Sequence, residues 1–185
     1  PLLFHTGLRG LFPLVREAIE TVILVDTLRY LGISHFEADE CGALNHFLEV
    51  APHAVPLCSG VAKMVSVDDV ADRDAVGLGD GEQLALGTRT VSWIDTPHLP
   101  HGWDCGYLFD AKTRTLLCGD LFTQPGAEHG DVHGTFRVDI WQWSSAADVQ
   151  VADREEILRC ANHRDLAFET AMRHRCVTDR EWRDA

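Results

Sequence analysis

A layered α/β fold is what this sequence predicts, and three observations carry the prediction. The opening half alternates short apolar runs with stretches of helical spacing, the middle is a series of short runs cut by Gly and Pro turns, and a helical pattern returns at 153–161. No internal repeat, low-complexity tract or linker divides the chain, so residues 1–185 are expected to form a single domain.

In chain order, Pro1 to Phe4 reads as the end of a buried strand closed by Thr6-Gly7, and the spacing Phe12, Val15, Ala18, Ile19, Val22 predicts a helix from Phe12 to Leu24. Leu28 to Ile33 reads as a strand that stops at Ser34. Asp39 is placed to cap the next helix, whose apolar positions are Ala43, Leu44, Phe47 and Leu48. Val55 to Cys58 is a short strand, Gly60 to Val65 a short helix, and Asp68 to Asp80 an acidic, turn-prone connection. Glu82 to Leu86, Thr88 to Asp95, Gly106 to Asp110 and Thr115 to Gly119 then read as paired strands. Beyond them, Gln124 to Thr135 is a Gly- and His-rich loop, Ser144 or Ser145 starts a helical region, Asp153 to Ala161 is a helix, and Leu166 to Met172 is a last strand.

Composition narrows the partners. A net charge of −13 argues against nucleic acid and against an anionic membrane surface, both of which need clustered Lys and Arg. No apolar stretch reaches the length of a membrane span, and Pro1-Leu2-Leu3-Phe4 has no basic leader, so the chain reads as cytoplasmic and as beginning inside an element, as a fragment would. The six cysteines form no C-x-x-C pair and read as small, reduced core residues.

Three features carry chemistry. Ser34-His35-Phe36-Glu37-Ala38-Asp39-Glu40 crowds one histidine and three carboxylates directly after a strand; such crowding is favourable around a cation, and alternation in an extended segment would turn His35, Glu37 and Asp39 to one side. Asp95-Thr96-Pro97-His98-Leu99-Pro100-His101-Gly102 puts two histidines on a Pro-stiffened loop after a strand. Asp120 ends the apolar run from Thr115 to Gly119, where a lone buried acid would be costly and a metal-bridging one would not. By contrast, His5, His46 and His53 have no chemical neighbours in sequence and read as structural or surface residues, as does His163. His129 and His133 read as solvent-exposed.

Together these features resemble the metallo-β-lactamase fold, and within it the di-iron branch of flavodiiron and oxygen-binding di-iron proteins. The superfamily motif is His-x-His-x-Asp-His, and His35-Phe36-Glu37-Ala38-Asp39-Glu40 carries Glu where the second histidine stands, as the di-iron branch does. The resemblance implies an αββα sandwich lacking its first strands. It also implies that His35, Glu37 and His101 hold one metal, that Asp39 holds the second with His174 as the last ligand (His163, in a helix pattern, being the alternative), and that Asp120 bridges the two. Glu40 takes the place of the motif's final histidine, and reads either as a ligand of the second metal or as a helix cap pointing away. The spacing to Asp120 favours His101 over His98 as ligand, leaving His98 in a second shell or a pocket.

Hard oxygen donors with imidazole, and no thiolate, suit two Fe, with Zn or Mn as alternatives. The expected function is therefore a non-haem di-iron protein that binds, senses or reduces O2, or NO, at a carboxylate-bridged pair. The competing reading is a dimetal hydrolase of an ester, lactone, thioester or phosphodiester. No FMN-binding domain is expected in this chain. Electrons would come from an external donor, a sensor would need a signalling partner, and a homodimer is compatible with both.

Overall fold

The computed structural model describes residues 1–99 and 101–120. The region read as a His-rich loop, the helical patterns near 144 and 153–161, the strand at 166–172 and His174 all lie outside those residues.

Strands β1 (Leu2–Phe4), β2 (Tyr30–Gly32), β3 (Val55–Ser59) and β4 (Val76–Leu78) form a parallel sheet in that order. Parallel neighbours need crossover connections, and the intervening segments supply helices. The first is α1 (Phe12–Glu20), the second holds α2 (Ala38–Cys41) and α3 (Leu44–Val50), and the third runs α4 (Gly60–Ala62), a π-helical turn (Lys63–Val67) and α5 (Asp68–Val70). Helix α1 starts with Pro13 in its first turn, where a missing N–H does no harm. It stops four residues before Leu24, because the β-branched run Thr21-Val22-Ile23 disfavours helix and the Thr21 hydroxyl donates to the Ala18 carbonyl at 2.7 Å. Val22, expected on the packed face, is consequently exposed, while Phe12, Val15 and Ile19 do pack inward.

Ala43, Leu44, Phe47 and Leu48 are buried as their spacing predicts, in a core with Leu31, Ile33 and Cys58 between the parallel sheet and its helices. Three expectations need correction. Strand β1 is half-buried, pairing with β2 alone among the described residues. Asp39 does not cap: the N-cap of α2 is Glu37, without a side-chain cap bond, and Asp39 lies in the first helical turn. The span Asp68 to Asp80 is not all connection, since it begins in helix and contains β4, a strand too short and Gly-centred to show a period of its own.

The second sheet is antiparallel, in the order β5 (Gln83–Ala85), β6 (Thr90–Asp95), β7 (Gly106–Asp110), β8 (Thr115–Leu117). Alternation and turn residues made these four strands legible. Leu57 and Leu78 of the first sheet pack with Val91, Trp93 and Leu108 of the second, which gives a helix, sheet, sheet layering among the described residues. Gly106 is required here: a Cβ on it would lie 2.3 Å from the buried Trp93 ring.

The β7–β8 turn is built on Asp110. Its Oδ1 accepts the Lys112 and Thr113 N–H groups at 2.9 and 3.3 Å, and its Oδ2 accepts Arg89 Nη1 at 2.7 Å. Burial works against the charge, but Arg89 and the turn donors outweigh it and hold the carboxyl below its ordinary range. An acid with a lowered folded-state pKa adds stability above the usual carboxylate range and loses it as pH falls through the folded-state value. Asp110→Ala is therefore expected to lose about 1 kcal/mol at pH 7, with the gap to wild type narrowing in acid; urea unfolding at pH 7 and pH 3 checks both.

Candidate metal centre

The ends of both sheets meet at one place. Beyond β2 the chain bends at residues 34–36, is extended at Glu37 and turns helical at Ala38. It is thus a bend into a helix, not the extended segment expected, that brings His35, Glu37, Asp39 and Glu40 together. The bend is held from the second sheet: Gly106 N–H donates to the Ser34 carbonyl at 2.9 Å, and the Phe36 N–H donates to Asp104 Oδ2 at 2.9 Å. Asp104 is fixed in turn by the Ser59 hydroxyl, which donates to its carbonyl at 2.8 Å while accepting the Ala62 N–H at the start of α4.

The loop after β6 brings His101. His98 N–H donates to the Gly102 carbonyl at 2.7 Å and Cys105 N–H closes on the same oxygen at 3.2 Å, while the buried Tyr107 hydroxyl donates to the Leu99 carbonyl at 3.1 Å. His98 itself has φ +66°, is exposed and joins no ligand group among the described residues, whereas His101 Nε2 lies 2.8 Å from Glu37 Oε1. Asp120, with φ +43°, follows β8 and reaches the same place.

Two overlapping groups result. His35, Glu37, His101 and Asp120 each offer a ligand atom, all within 4.8 Å of one another, and so do Glu37, Asp39 and Glu40. Glu37 belongs to both groups. His35 Nε2 stands 3.6 Å from Glu37 Oε2, 3.7 Å from Asp120 Oδ2 and 3.8 Å from Glu40 Oε2. These gaps are too long for hydrogen bonds, and they suit donors that each sit about 2.0–2.2 Å from a shared ion.

The buried polar atoms fit a metal as well. His35 Nε2 and Glu40 Oε2 are buried without a hydrogen-bond partner among the described residues, an expensive arrangement unless a cation completes it. Burial lowers the His35 pKa, keeping the imidazole neutral as a ligand must be. Burial, then the neighbouring Asp39, pushes Glu40 up to about 9, the response of a carboxyl with no counter-charge, which a bound cation would reverse. Glu40 therefore points into the site and does not cap a helix.

Residues 1–141 match the family described as ODP family beta lactamase. The chain belongs to this family. Among relatives of this ODP-family chain, the type A flavoprotein fprA of Rhodobacter capsulatus is 30% identical over 130 residues, covering 64% of this chain and 29% of the relative. The rubredoxin-oxygen oxidoreductase of Megalodesulfovibrio gigas is 33% identical over 108 residues, covering 57% and 27%. The solved rubredoxin oxygen:oxidoreductase from Desulfovibrio gigas superposes with a TM-score of 0.62 at 30% identity, over 66% of this chain and 31% of that one. A flavo di-iron protein from Thermotoga maritima, at 19% identity and a TM-score of 0.59, shares the fold. The ODP-family chain thus spans under a third of the length of these relatives, has the metallo-β-lactamase fold, and falls in its di-iron branch. No helix among its described residues is long and apolar enough to cross a membrane.

Two residues behind the centre escaped the sequence. Asp104 gave no signal beyond being an acid near His101. His5, read as structural or surface, in fact bonds to Ser34 with Nε2 at 3.0 Å from Oγ, and burial followed by His35 pushes its pKa down to about 3. Its partner is 29 residues away and no local pattern announces the pairing.

Proposed function

We propose that this chain holds a carboxylate-bridged pair of iron ions and binds and reduces O2, or NO, there with electrons from an external donor. The observation that carries the reading is Glu37, a carboxylate shared by both ligand groups where a hydrolase of this fold would present a histidine. His35, His101 and Asp120 complete one position, with Asp120 as the bridge to the second; Asp39 and Glu40 supply that second position, with His174 as its imidazole. A donor set of carboxylates and imidazoles without thiolate suits Fe over Zn. Such a pair, when bound, would supply the redox chemistry for reducing a diatomic. The protein's own part is to aim these ligands from the ends of two sheets, with the Phe36 backbone fixed by Asp104. Two relatives are named for oxygen or nitric oxide chemistry, the rubredoxin-oxygen oxidoreductase and the Moorella thermoacetica nitric oxide reductase, which supports the same class of reaction here. We place the protein in the cytoplasm, with residues 1–185 forming one domain.

Metal analysis after anaerobic purification, with optical spectra before and after air, tests this. About two iron per chain and a new oxo-bridge absorption are expected; tight zinc with turnover of ester or lactone substrates would establish the hydrolase instead. Glu37→His should lower O2 consumption at least about tenfold while raising zinc retention, since imidazole favours zinc more than carboxylate does. Unchanged values in both would remove Glu37 from the ligands.

A further inference from the structure

A neutral imidazole carries one ring hydrogen, and His35 can bind a metal through Nε2 only if that hydrogen sits on Nδ1. The hydrogen bonds behind the centre decide where it sits. The Ser34 backbone N–H donates to His5 Nε2 at 3.3 Å, so this nitrogen is an acceptor and His5 carries its hydrogen on Nδ1. The same nitrogen lies 3.0 Å from Ser34 Oγ. Two lone pairs would repel at that distance, so the hydroxyl hydrogen points at His5. Ser34 Oγ then has only lone pairs left for His35 Nδ1 at 2.8 Å, and that nitrogen must donate. The reverse order would also leave an N–H on His35 Nε2 facing carboxylate oxygens at 3.6–3.8 Å, none within bonding distance.

We propose that His5 is a positioning residue which, through Ser34, fixes the hydrogen of His35 on Nδ1 and so turns a bare Nε2 toward the metals. This rests on the metal-centre reading and adds to it a residue that follows a different strand, β1. The rest of the surroundings hold His5 for the task. Its backbone N–H donates to the Gly32 carbonyl at 2.7 Å, and its ring stacks on Phe4 with centroids 4.3 Å apart. Gly119 leaves the space that Ser34 needs, since a Cβ there would fall 2.1 Å from Oγ.

The test uses the full chain with Fe(II), titrated anaerobically against a competing chelator. His5→Leu and Ser34→Ala should each weaken binding about 10- to 100-fold, the usual effect of losing a partner behind a ligand histidine. His5→Gln, which keeps an acceptor at similar reach, should stay within about threefold of wild type. The double variant should bind no worse than Ser34→Ala, because both changes break one relay. Thermal unfolding of the metal-free variants separates this from a structural role, which would shift unfolding and leave the affinity of the folded protein alone. Long-range proton–nitrogen NMR correlations on the metal-free chain should show His5 and His35 both protonated at Nδ1, with His35 turning over toward Nε2–H in His5→Leu. Wild-type His35 found as Nε2–H, His5→Leu binding iron normally, or His5→Gln failing like His5→Leu would each overturn the proposal. If the wild type shows the expected ring protonation yet takes up no metal, the metal-centre reading fails and the relay stands.

Discussion

His35→Ala is expected to lower iron affinity at least a hundredfold and to leave the metal-free protein folded. His35, a proposed ligand, is buried at 1% side-chain exposure beside Glu37, Glu40 and Asp120, and its Nε2 has no hydrogen-bond partner among the described residues. Removing it takes away an imidazole donor and leaves Glu37, Glu40 and Asp120 to repel one another around a weakened ion. The loss should exceed the roughly 10- to 100-fold that follows from disturbing a residue behind a ligand. Isothermal titration with Fe(II), beside circular dichroism of the metal-free chain, checks both halves. Retention of two iron per chain would show that the centre lies elsewhere.

Gly106→Ala carries the second large effect, and it acts through the fold. The added methyl would meet three atoms of the Trp93 indole at 2.3–2.7 Å, and the ring cannot retreat because it is fully buried and its Nε1–H is held by Asp95 Oδ1 at 2.7 Å. Forced overpacking of this kind costs about 3 kcal/mol, equivalent to roughly 6–12 °C in a chain of this size. Thermal unfolding of the metal-free variant measures it. Gly10→Ala, where a Cβ meets nothing within 4 Å, is the matched control and should change Tm little. Because the Gly106 N–H also holds the Ser34 carbonyl, the same variant should bind iron more weakly even where it is folded.

Which features could be read from the sequence follows from the range of the forces that make them. Strands β6 and β7 declare themselves because alternation and turn residues act over a few positions, and the helix around Phe47 does so through its apolar stripe. Strand β4 does not: Val76-Gly77-Leu78 is extended because β3 lies beside it. The ligands show the same division. His35, Glu37 and Asp120 stood out as candidate ligands because acids and imidazoles at strand ends need a reason, and the fold does bring them together. The route by which Asp39 reaches them was not, since a bend followed by a helical turn depends on bonds from Gly106 and Asp104, some seventy residues away in the chain. Glu40 was ambiguous until its burial fixed its direction. His5 was invisible, because its role exists only once β1 lies beside β2.

The bond from Gly106 to Ser34 joins the antiparallel sheet to the bend that carries His35. It follows that neither sheet can complete the first ligand group by itself: the parallel half contributes His35 and Glu37, the antiparallel half His101 and Asp120. Under the proposed metal reading, an ion would find all four of these ligands only where the two halves are docked, and its binding would draw the equilibrium toward the docked form by mass action. A proposed metal there would act as a clasp between the two halves, and its loading would report that they are joined.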